Sequence, residues 1–364
     1  MQGSLISDNL SRSLSNSFYK KENINYKFEV SDLVILKNEI LISRFKKRVF
    51  LIKEHLIDLI NRIWGRERGG VVIALLLGEK GYMDDQLKKS ISSAGISHIF
   101  AISGMHIAII IDIIAFLLAS LNFKRFRIFL LVNLLLFFYL NLIGFLSSAC
   151  RAYLMFNFNT LGALLGRRVY KNSILLLALN IILAFNPRLL FYDIGLQLSF
   201  LASFSLINFY PGISGLIHKF FNLEKINPIF KRFIHYAMGV LIGSLCVFLA
   251  TFPLLLYYFD YLSLATFVSN LIFVWIIPFL ILFLILSLIC FYISDWLLDL
   301  LVSITNFIFD CFNFLLDEIV AFDFLLLKDF SLSFLVWAVW IFLFFNLLLF
   351  NKDLKKDFDL IKNF

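Results

Sequence analysis

The sequence has few of the residues from which metal centres and disulfide frameworks are built. Its four cysteines are Cys150, Cys246, Cys290 and Cys311, and they lie in or beside apolar runs without C-x-x-C spacing. No two of the five histidines are separated by a single residue. We therefore expect the cysteines to be small buried hydrophobic residues, and we expect no metal site, no disulfide framework and no cofactor.

Charged residues are also scarce, and long apolar runs take their place. Asp, Glu, Lys and Arg make up 16% of the 364 residues, whereas hydrophobic residues make up 61% and the mean hydropathy is +0.89. A soluble globular chain is about 45–50% apolar. The runs are continuously apolar instead of alternating, which favours helices over the strands of a membrane barrel. The predicted fold class is an all-α polytopic membrane protein, a helical bundle with several short or re-entrant helices.

Three regions are expected along the chain. Residues 1–69 form a polar, soluble or interfacial segment, residues 70–350 form the membrane domain, and residues 351–364 form a charged tail. Within the first region, β-branched runs between 30 and 42 predict short strands. The pattern over 44–64 predicts an amphipathic helix that is too charged to cross a bilayer.

Apolar runs in the membrane domain predict its helices. The runs at 150–165, 173–186 and 194–210 are short for a full crossing, which is typical of broken or re-entrant helices. The remaining runs are 97–120, 128–147, 234–258, 265–291, 297–321 and 332–350.

Lys and Arg crowd three loops, around 124–127, 167–171 and 219–232, and the excess predicts that these loops face the cytoplasm. The net charge of +8 permits a nucleic-acid ligand but does not argue for one.

The run that begins near Ile96 contains an unusual set of polar and small residues. The set comprises His98, Ser103, Gly104 and His106. On a continuous helix from Ile96 to Leu121, Ser103 and His106 would share a face, and Ser97 would lie in line with Gly104. Polar groups at such a depth are costly and mark a candidate functional site. The alternative is that the small residues let helices approach closely and the histidines bond across helices.

Four further polar residues lie within or beside apolar runs. They are Arg151, Asp193, Gln197 and Asn270. Asp193 and Gln197 are four apart and therefore neighbours on a helix face. A buried carboxylate must pair or meet water, and the candidate partners are Arg151, Arg188, His98 and His106. Asp193 and Gln197 line a conduit on one interpretation and only hold helices together on the other. Arg151 either contacts a phosphate or snorkels to the membrane interface, and Asn270 is expected to form an interhelical hydrogen bond.

The segment 98–106, H-I-F-A-I-S-G-M-H, closely resembles the signature H-L-L-A-I-S-G-L-H of the ComEC family of competence proteins. Further positions match in the family's order on both sides of it. These positions are Gly78, Glu79, Arg151, Ala152, Asn186, Pro187, Asp193, Gly195, Gln197, Thr251, Pro253, Phe259, Ser263, Asn270 and Pro278. The resemblance covers roughly residues 70–291, and the region before it is shorter than the family's usual N-terminal region.

The resemblance implies a channel that passes single-stranded DNA across the cytoplasmic (inner) membrane in natural competence. It implies single-stranded DNA, the lipid bilayer, a cytoplasmic ATPase motor and an external DNA receptor as partners, and it leaves a homo-oligomer open. The polar residues named above become candidates for the channel lining. No G-x-x-x-x-G-K-[ST] string occurs in this chain, so the motor is expected elsewhere.

Three other functions stay open at this point. One is a channel or carrier for a smaller substrate on the same bundle, and another is a reduced or split family member without transport activity. An intramembrane enzyme is the third, but neither a G-x-S-x-G nor an H-E-x-x-H string occurs in the sequence. We therefore expect the chain not to be an enzyme.

Many members of the family carry a metallo-β-lactamase-like nuclease, whose H-x-H-x-D-H cluster is missing from this chain. The purified chain is expected to leave single- and double-stranded DNA intact with Zn²⁺ or Mn²⁺ added, because a hydrolytic zinc site needs about three protein ligands. Gel analysis of labelled DNA measures this, with a known nuclease as positive control. Metal-dependent cleavage that co-purifies with the chain through two different columns would contradict the expectation.

Overall fold

The computed structural model describes residues 4–5, 28–29, 44–220, 228–259, 261–321 and 326–328. The strands predicted between 30 and 42, the apolar run 332–350 and the charged tail 351–364 therefore lie outside the described residues. The helices are α1 (Arg44–Leu77), α2 (Asp85–Ser93), α3 (Gly104–Ser120), α4 (Arg125–Leu142), α5 (Ser147–Leu164), α6 (Lys171–Phe185), α7 (Leu189–Tyr192), α8 (Ile194–Asn208), α9 (Tyr210–Phe220), α10 (Pro228–Phe259), α11 (Thr266–Cys290) and α12 (Asp295–Val320).

Strands contribute very little to this fold. In the part of the chain that the structure describes, two antiparallel pairs are formed, β1 (Ser4–Leu5) with β2 (Phe28–Glu29) and β3 (Tyr261–Ser263) with β4 (Leu326–Lys328). Within the described residues, five helical segments are long and apolar enough to cross a membrane. They are Arg125–Leu142, Ile194–Gly215, Lys231–Phe259, Thr266–Cys290 and Asp295–Val320. The predicted all-α polytopic membrane fold is confirmed.

Helix α1 is a helical hairpin with its turn at Gly65. That glycine has φ 73° and ψ 176°, a conformation outside the helical region and accessible to glycine. A Cβ placed on Gly69 would lie 2.7 Å from Asn61 Oδ1, and Lys53 forms an ion pair with Glu79. In each contact, one residue precedes Gly65 by nearly as many positions as the other follows it. The first arm (44–64) and the second arm (66–77) therefore run antiparallel.

The two arms of α1 differ in their surroundings. The first arm exposes Phe45, Phe50 and Leu51 together with lysines. In the second arm every residue from Gly69 to Leu77 is buried. It packs against α11 and α12 in one apolar cluster whose largest side chains include Phe100, Phe273, Phe309 and Phe312. The short second arm therefore forms the centre of this cluster.

Five helices form a closed circuit of contacts, which we call the helix ring: α3, α5, α8, α10 and α11. Each packs on the next in this order, and α11 packs back on α3. The α10–α11 contact includes a hydrogen bond from Asn270 Nδ2 to Ser244 Oγ (3.1 Å). The α11–α3 contact places Met105 and Ile109 against the central apolar cluster. The ring brings together segments from residue 104 to residue 290.

Helix α12 carries a polar stripe that is unusual for a membrane span. At three- and four-residue spacing along its exposed side lie Asp299, Ser303, Asn306, Asp310, Asn313 and Asp317. Asp310 Oδ1 pairs with Arg68 Nη2 at 2.7 Å. On the opposite side, Thr305 Oγ1 accepts a hydrogen bond from Trp64 Nε1 (2.9 Å). Three carboxylates on one face are costly against lipid, so this face requires water or protein beside it.

Close backbone approach next to the second arm of α1 yields a stability prediction. A Cβ on Gly70 would lie 2.2 Å from the backbone oxygen of Tyr82, whereas a Cβ on Gly81 would meet nothing within 4 Å. We expect Gly70→Ala to destabilise the protein by about 1–3 kcal/mol, as overpacking does. The matched control Gly81→Ala is expected to change stability by less than about 0.5 kcal/mol. Thermal unfolding in detergent measures both, and equal transition temperatures for the two variants would contradict the packing argument.

Candidate functional site

Helix α3 begins later than the sequence analysis predicted. Residues 96–103 are not helical, and the helix runs only from Gly104 to Ser120. Gly95 ends α2 with φ 73°, and Ser103 is extended at φ −120° and ψ 176°. The predicted continuous helix from Ile96 is therefore wrong at its start, because a helix terminus falls inside the motif. Ser97 consequently does not lie in line with Gly104 on a helix.

Ser103 and His106 form the N-terminal cap of α3. The backbone nitrogen of Ser103 donates to His106 Nδ1 (3.3 Å), and Ser103 Oγ lies 3.1 Å from the same atom. Such a reciprocal cap satisfies a backbone donor that the first turn leaves unpaired. His106 is 1% exposed, and its Nε2 has no hydrogen-bond partner among the described residues. His106 thus uses Nδ1 to cap the helix, whereas its Nε2 is unsatisfied.

Hydroxyl groups of the neighbouring helices hold the loop before α3. Ser148 Oγ on α5 donates to the carbonyl oxygen of Ile102 (2.6 Å). On α11, Ser269 Oγ donates to Ala94 O (2.8 Å) and Thr266 Oγ1 to Gly95 O (3.1 Å). These bonds satisfy carbonyl groups that no regular element pairs. The loop is therefore fixed between two members of the helix ring.

His98 lies in this fixed loop and contacts α11. Its ring interacts with the Gly95 backbone and with the Asn270 side chain. Asn270 in turn donates to Ser244 on α10. His98 is exposed, although the residues that follow it, Ile99 and Phe100, are buried. The structure thus joins two of the predicted site residues, His98 and Asn270, in one polar chain that links the loop, α11 and α10.

Gly104 lies against Arg151 of α5. A Cβ on Gly104 would be 3.5 Å from Arg151 Nη2 and 3.6 Å from Ala152 Cβ. Gly104, Ala108 and Asp112 follow one another at four-residue spacing and so form one stripe along α3. Ala108 and Asp112 are exposed. The stripe begins beside a guanidinium group and continues along an exposed surface of α3.

Asp112 did not enter the sequence analysis, although the sequence carried a signal for it. It is the only charged residue in α3, in the middle of an apolar run. Its neighbours Met105 and Ile109 pack on the side of α11, whereas Gly104 contacts α5. Asp112 therefore occupies the stripe between these two flanking helices. An ionisable residue in a membrane helix is a candidate functional residue by default.

Arg151 is a nearly buried cation with an unsatisfied donor. The residue is 8% exposed, and its Nε has no hydrogen-bond partner within the described part of the chain. Isolated buried charges are strongly unfavourable, so such a group calls for water or an anion. Snorkelling to the interface, the alternative for an arginine near a helix start, would expose it instead. The burial of Arg151 favours a role inside the ring.

Asp193 connects α8 to α5. Its Oδ1 accepts the Leu196 amide (3.1 Å) as the N-cap of α8, and its Oδ2 accepts a hydrogen bond from Ser147 Oγ. Ser147, which the sequence analysis did not propose as a partner, is one turn before Arg151 on α5. These contacts are those expected of a residue that holds helices together. Asp193 therefore fixes the helix pair that carries Arg151.

Gln197 lies one turn after Asp193 on α8. Its Nε2 donates to the carbonyl oxygen of Leu190 (2.9 Å), while its buried Oε1 has no partner in the described residues. Ser199 Oγ is likewise buried and unsatisfied. The sequence analysis missed Ser199 because a serine in an apolar run commonly bonds to the helix backbone and gives no distinct signal.

Four unsatisfied polar atoms lie on neighbouring helices of the ring. They are His106 Nε2 on α3, Arg151 Nε on α5, and Gln197 Oε1 and Ser199 Oγ on α8. These are three consecutive members of the helix ring. Buried polar atoms in native proteins are almost always hydrogen-bonded to protein or ordered water. Each of these atoms therefore calls for water or a polar ligand beside it.

The contacts of Asp193 predict a specific loss of stability. Asp193→Ala removes the N-cap of α8 and the acceptor of Ser147, and we expect a loss of about 1–3 kcal/mol. The control is Asp112→Ala, which removes an exposed carboxylate and is expected to cost less than about 0.5 kcal/mol.

A thiol-reactive fluorophore can follow unfolding, because the free thiols of Cys246 and Cys290 are buried. An Asp193→Ala protein as stable as the Asp112→Ala protein would show that the Ser147 contact contributes nothing.

Known proteins were compared with the chain as a whole. A family model described as "Competence protein" matches residues 75–352. ComE operon protein 3 of Bacillus subtilis (strain 168) is 28% identical over 260 residues, which cover 71% of this chain and 31% of that protein. The chain thus spans about a third of the length of this relative. No solved structure matches it. Because the family model covers well over half of the chain, this multi-pass membrane protein belongs to the family of competence proteins.

Proposed function

We propose that the helix ring forms the wall of a channel through which single-stranded DNA crosses the cytoplasmic membrane in natural competence. The observation that carries the proposal is Arg151, a nearly buried guanidinium group with an unsatisfied donor beside a glycine of the next ring helix. Family membership and the similarity to ComE operon protein 3 support it. The proposed channel residues are His98, Ser103, Gly104, His106, Arg151, Asp193, Gln197 and Asn270.

The physical demand on such a channel is severe. A single strand carries one negative charge per nucleotide, and neither that charge nor an unpaired polar group is tolerated in hydrocarbon. The path must therefore be wet and must offer donors or cations to the phosphates. The unsatisfied atoms on α3, α5 and α8 meet the first requirement, and the Arg151 guanidinium meets the second.

The residues around Arg151 suit contact with a phosphate. A Cβ on Gly104 would lie 3.5 Å from Nη2, so glycine places no side chain between α3 and the guanidinium. Ala108, one turn later in the same stripe, also has a small side chain. The hydrogen bond between Ser147 and Asp193 fixes the adjoining turn of α5, which holds Arg151 in place. A guanidinium group can offer two parallel donors to a phosphate, which gives affinity and orientation.

The proposal implies partners outside this chain. The chain has no phosphate-binding loop of the P-loop type, so the energy for strand movement comes from a cytoplasmic ATPase. An external receptor delivers the DNA, and more than one copy of the chain can contribute to the assembly. The chain itself acts as a conduit and not as a catalyst.

An arginine series at position 151 tests the proposal. Arg151→Ala is expected to reduce DNA uptake about tenfold or more, because a hydrogen bond to a charged group contributes about 1.5–3 kcal/mol. Arg151→Lys keeps the charge and loses the fork geometry, so an intermediate uptake of about a third of wild type is expected. Uptake of labelled DNA by cells is normalised to the amount of membrane-inserted protein.

Arg125→Ala is the matched control, because it removes the same charge from an exposed position at the start of α4. Its normalised uptake is expected to equal that of wild type. Equal normalised uptake by the Arg151→Ala and Arg125→Ala proteins would refute the role of Arg151. Failure of the wild-type chain to restore uptake in a strain that lacks it would refute the channel itself.

A further inference from the structure

A groove of about 400 Å³ lies between α10 and the junction of α8 with α9. Its walls include the rings of Tyr210, His235 and Tyr236, and its floor is formed by Gly239 and Gly243. The volume falls within the range of about 300–1,000 Å³ typical of small-ligand sites. None of these residues takes part in the polar contacts described for α3, α5 and α8.

The two glycines create this groove. They form a G-x-x-x-G pair on α10, which usually allows two membrane helices to pack closely. Here a Cβ on Gly239 would lie 3.3 Å from Tyr210 Oη, and one on Gly243 would lie 3.7 Å from Leu206 Cδ2. Only these two side chains approach the glycines, so the helix contact closes the edge and leaves the space beside it open.

The groove lies on the side of α10 that faces into the helix ring. Leu241, Leu245 and Leu249 are exposed at four-residue spacing on the other side of α10, as expected of a lipid-facing stripe. Ser244, next to Gly243, bonds to Asn270 of α11, whereas Gly243 contacts α8. The groove therefore lies between the α8 and α11 contacts, away from the lipid-facing stripe.

Aromatic side chains line the groove, and two cationic residues precede it on the same helix. Tyr236 packs against Trp275 of α11 with ring centroids 4.1 Å apart and ring planes tilted by 51°, a contact that restrains the Tyr236 ring. Lys231 and Arg232 lie one turn before His235 on the same helix, and Arg232 is exposed. A groove lined by tyrosine rings, with two cations about one turn away on the same helix, suits a planar ring that is joined to an anion. Bases of single-stranded nucleic acid bind proteins in this way, by stacking on aromatic side chains beside a basic surface.

We propose that this groove binds one nucleobase of the transported strand, while Lys231 and Arg232 contact the adjoining phosphate. The proposal rests on the channel function and adds to it a second nucleotide contact on α10, apart from Arg151. Stacking of this kind tolerates any base sequence, because every base has an aromatic face. A phospholipid is the competing occupant, since an acyl chain could fill the groove and Arg232 could hold the head group.

The test measures binding of a fluorescent 12-nucleotide oligo-dT to the full chain in nanodiscs of neutral phosphatidylcholine. Tyr236→Leu is expected to weaken binding about tenfold, and Arg232→Gln about threefold with a smaller salt dependence. Tyr257→Leu is the matched control, because Tyr257 is 64% exposed near the other end of α10. Its affinity is expected to equal that of wild type.

Photocrosslinking of the wild-type protein provides a second measurement that needs no variant. An oligonucleotide with 5-iodouracil is expected to crosslink to Tyr210, His235 or Tyr236, as mapped by mass spectrometry. Crosslinks confined to other helices would overturn the proposal even if Tyr236→Leu failed to fold. A second result would also overturn the proposal. In that result the wild-type protein holds a phospholipid tightly, and Tyr236→Leu releases the phospholipid without changing the affinity for oligo-dT.

Uptake assays separate this proposal from the channel function. If Arg151→Ala loses uptake while Tyr236→Leu and Arg232→Gln retain both uptake and oligo-dT binding, only the groove proposal fails. If wild-type protein supports no uptake, the channel function fails as well.

Discussion

The fold depends on one constraint, which is the free-energy cost of burying a polar group that has no hydrogen-bond partner. Serine hydroxyl groups supply the missing hydrogen bonds where members of the ring meet: Ser147 bonds to Asp193, Ser148 to Ile102, and Ser269 to Ala94. Each bond also fixes the position of a loop or helix end. Where the pairing stops, unsatisfied atoms lie on four members of the ring: α3, α5, α8 and, at Asn270 Oδ1, α11. The same constraint thus builds the scaffold and identifies the candidate site.

Close backbone packing outside the helix ring is a second feature that supports the ring. The second arm of α1, buried from Gly69 to Leu77, brings α11 and α12 into one cluster, and Gly69 and Gly70 allow it to approach Asn61 and Tyr82. Because α11 is also a member of the ring, this cluster sets where Asn270 meets His98. In a bilayer, apolar side chains gain little by leaving lipid, so close packing and polar contacts must hold the helices.

The sequence was enough to predict many of the residues of the candidate site, but few of the contacts between them. The segment 98–106, Arg151 and Asp193 were expected to matter, because polar groups in apolar runs are conspicuous. The start of α3 was missed, since a Ser–His cap inside an apolar run resembles a continuing helix. Ser147 as the partner of Asp193 could not be foreseen, because that contact joins positions 46 residues apart. The ring itself is likewise a matter of long-range packing.

Glycine has opposite consequences at different points of this fold. At Gly162 a Cβ would lie 1.9 Å from Val169 Cγ2, so a neighbour fills the space that glycine leaves, as in ordinary helix packing. At Gly104 the neighbour is a guanidinium group, and at Gly239 it is a hydroxyl at the edge of a groove. Packing therefore requires glycine at Gly162, whereas Gly104 and Gly239 place bare backbone beside a polar group of a neighbouring helix.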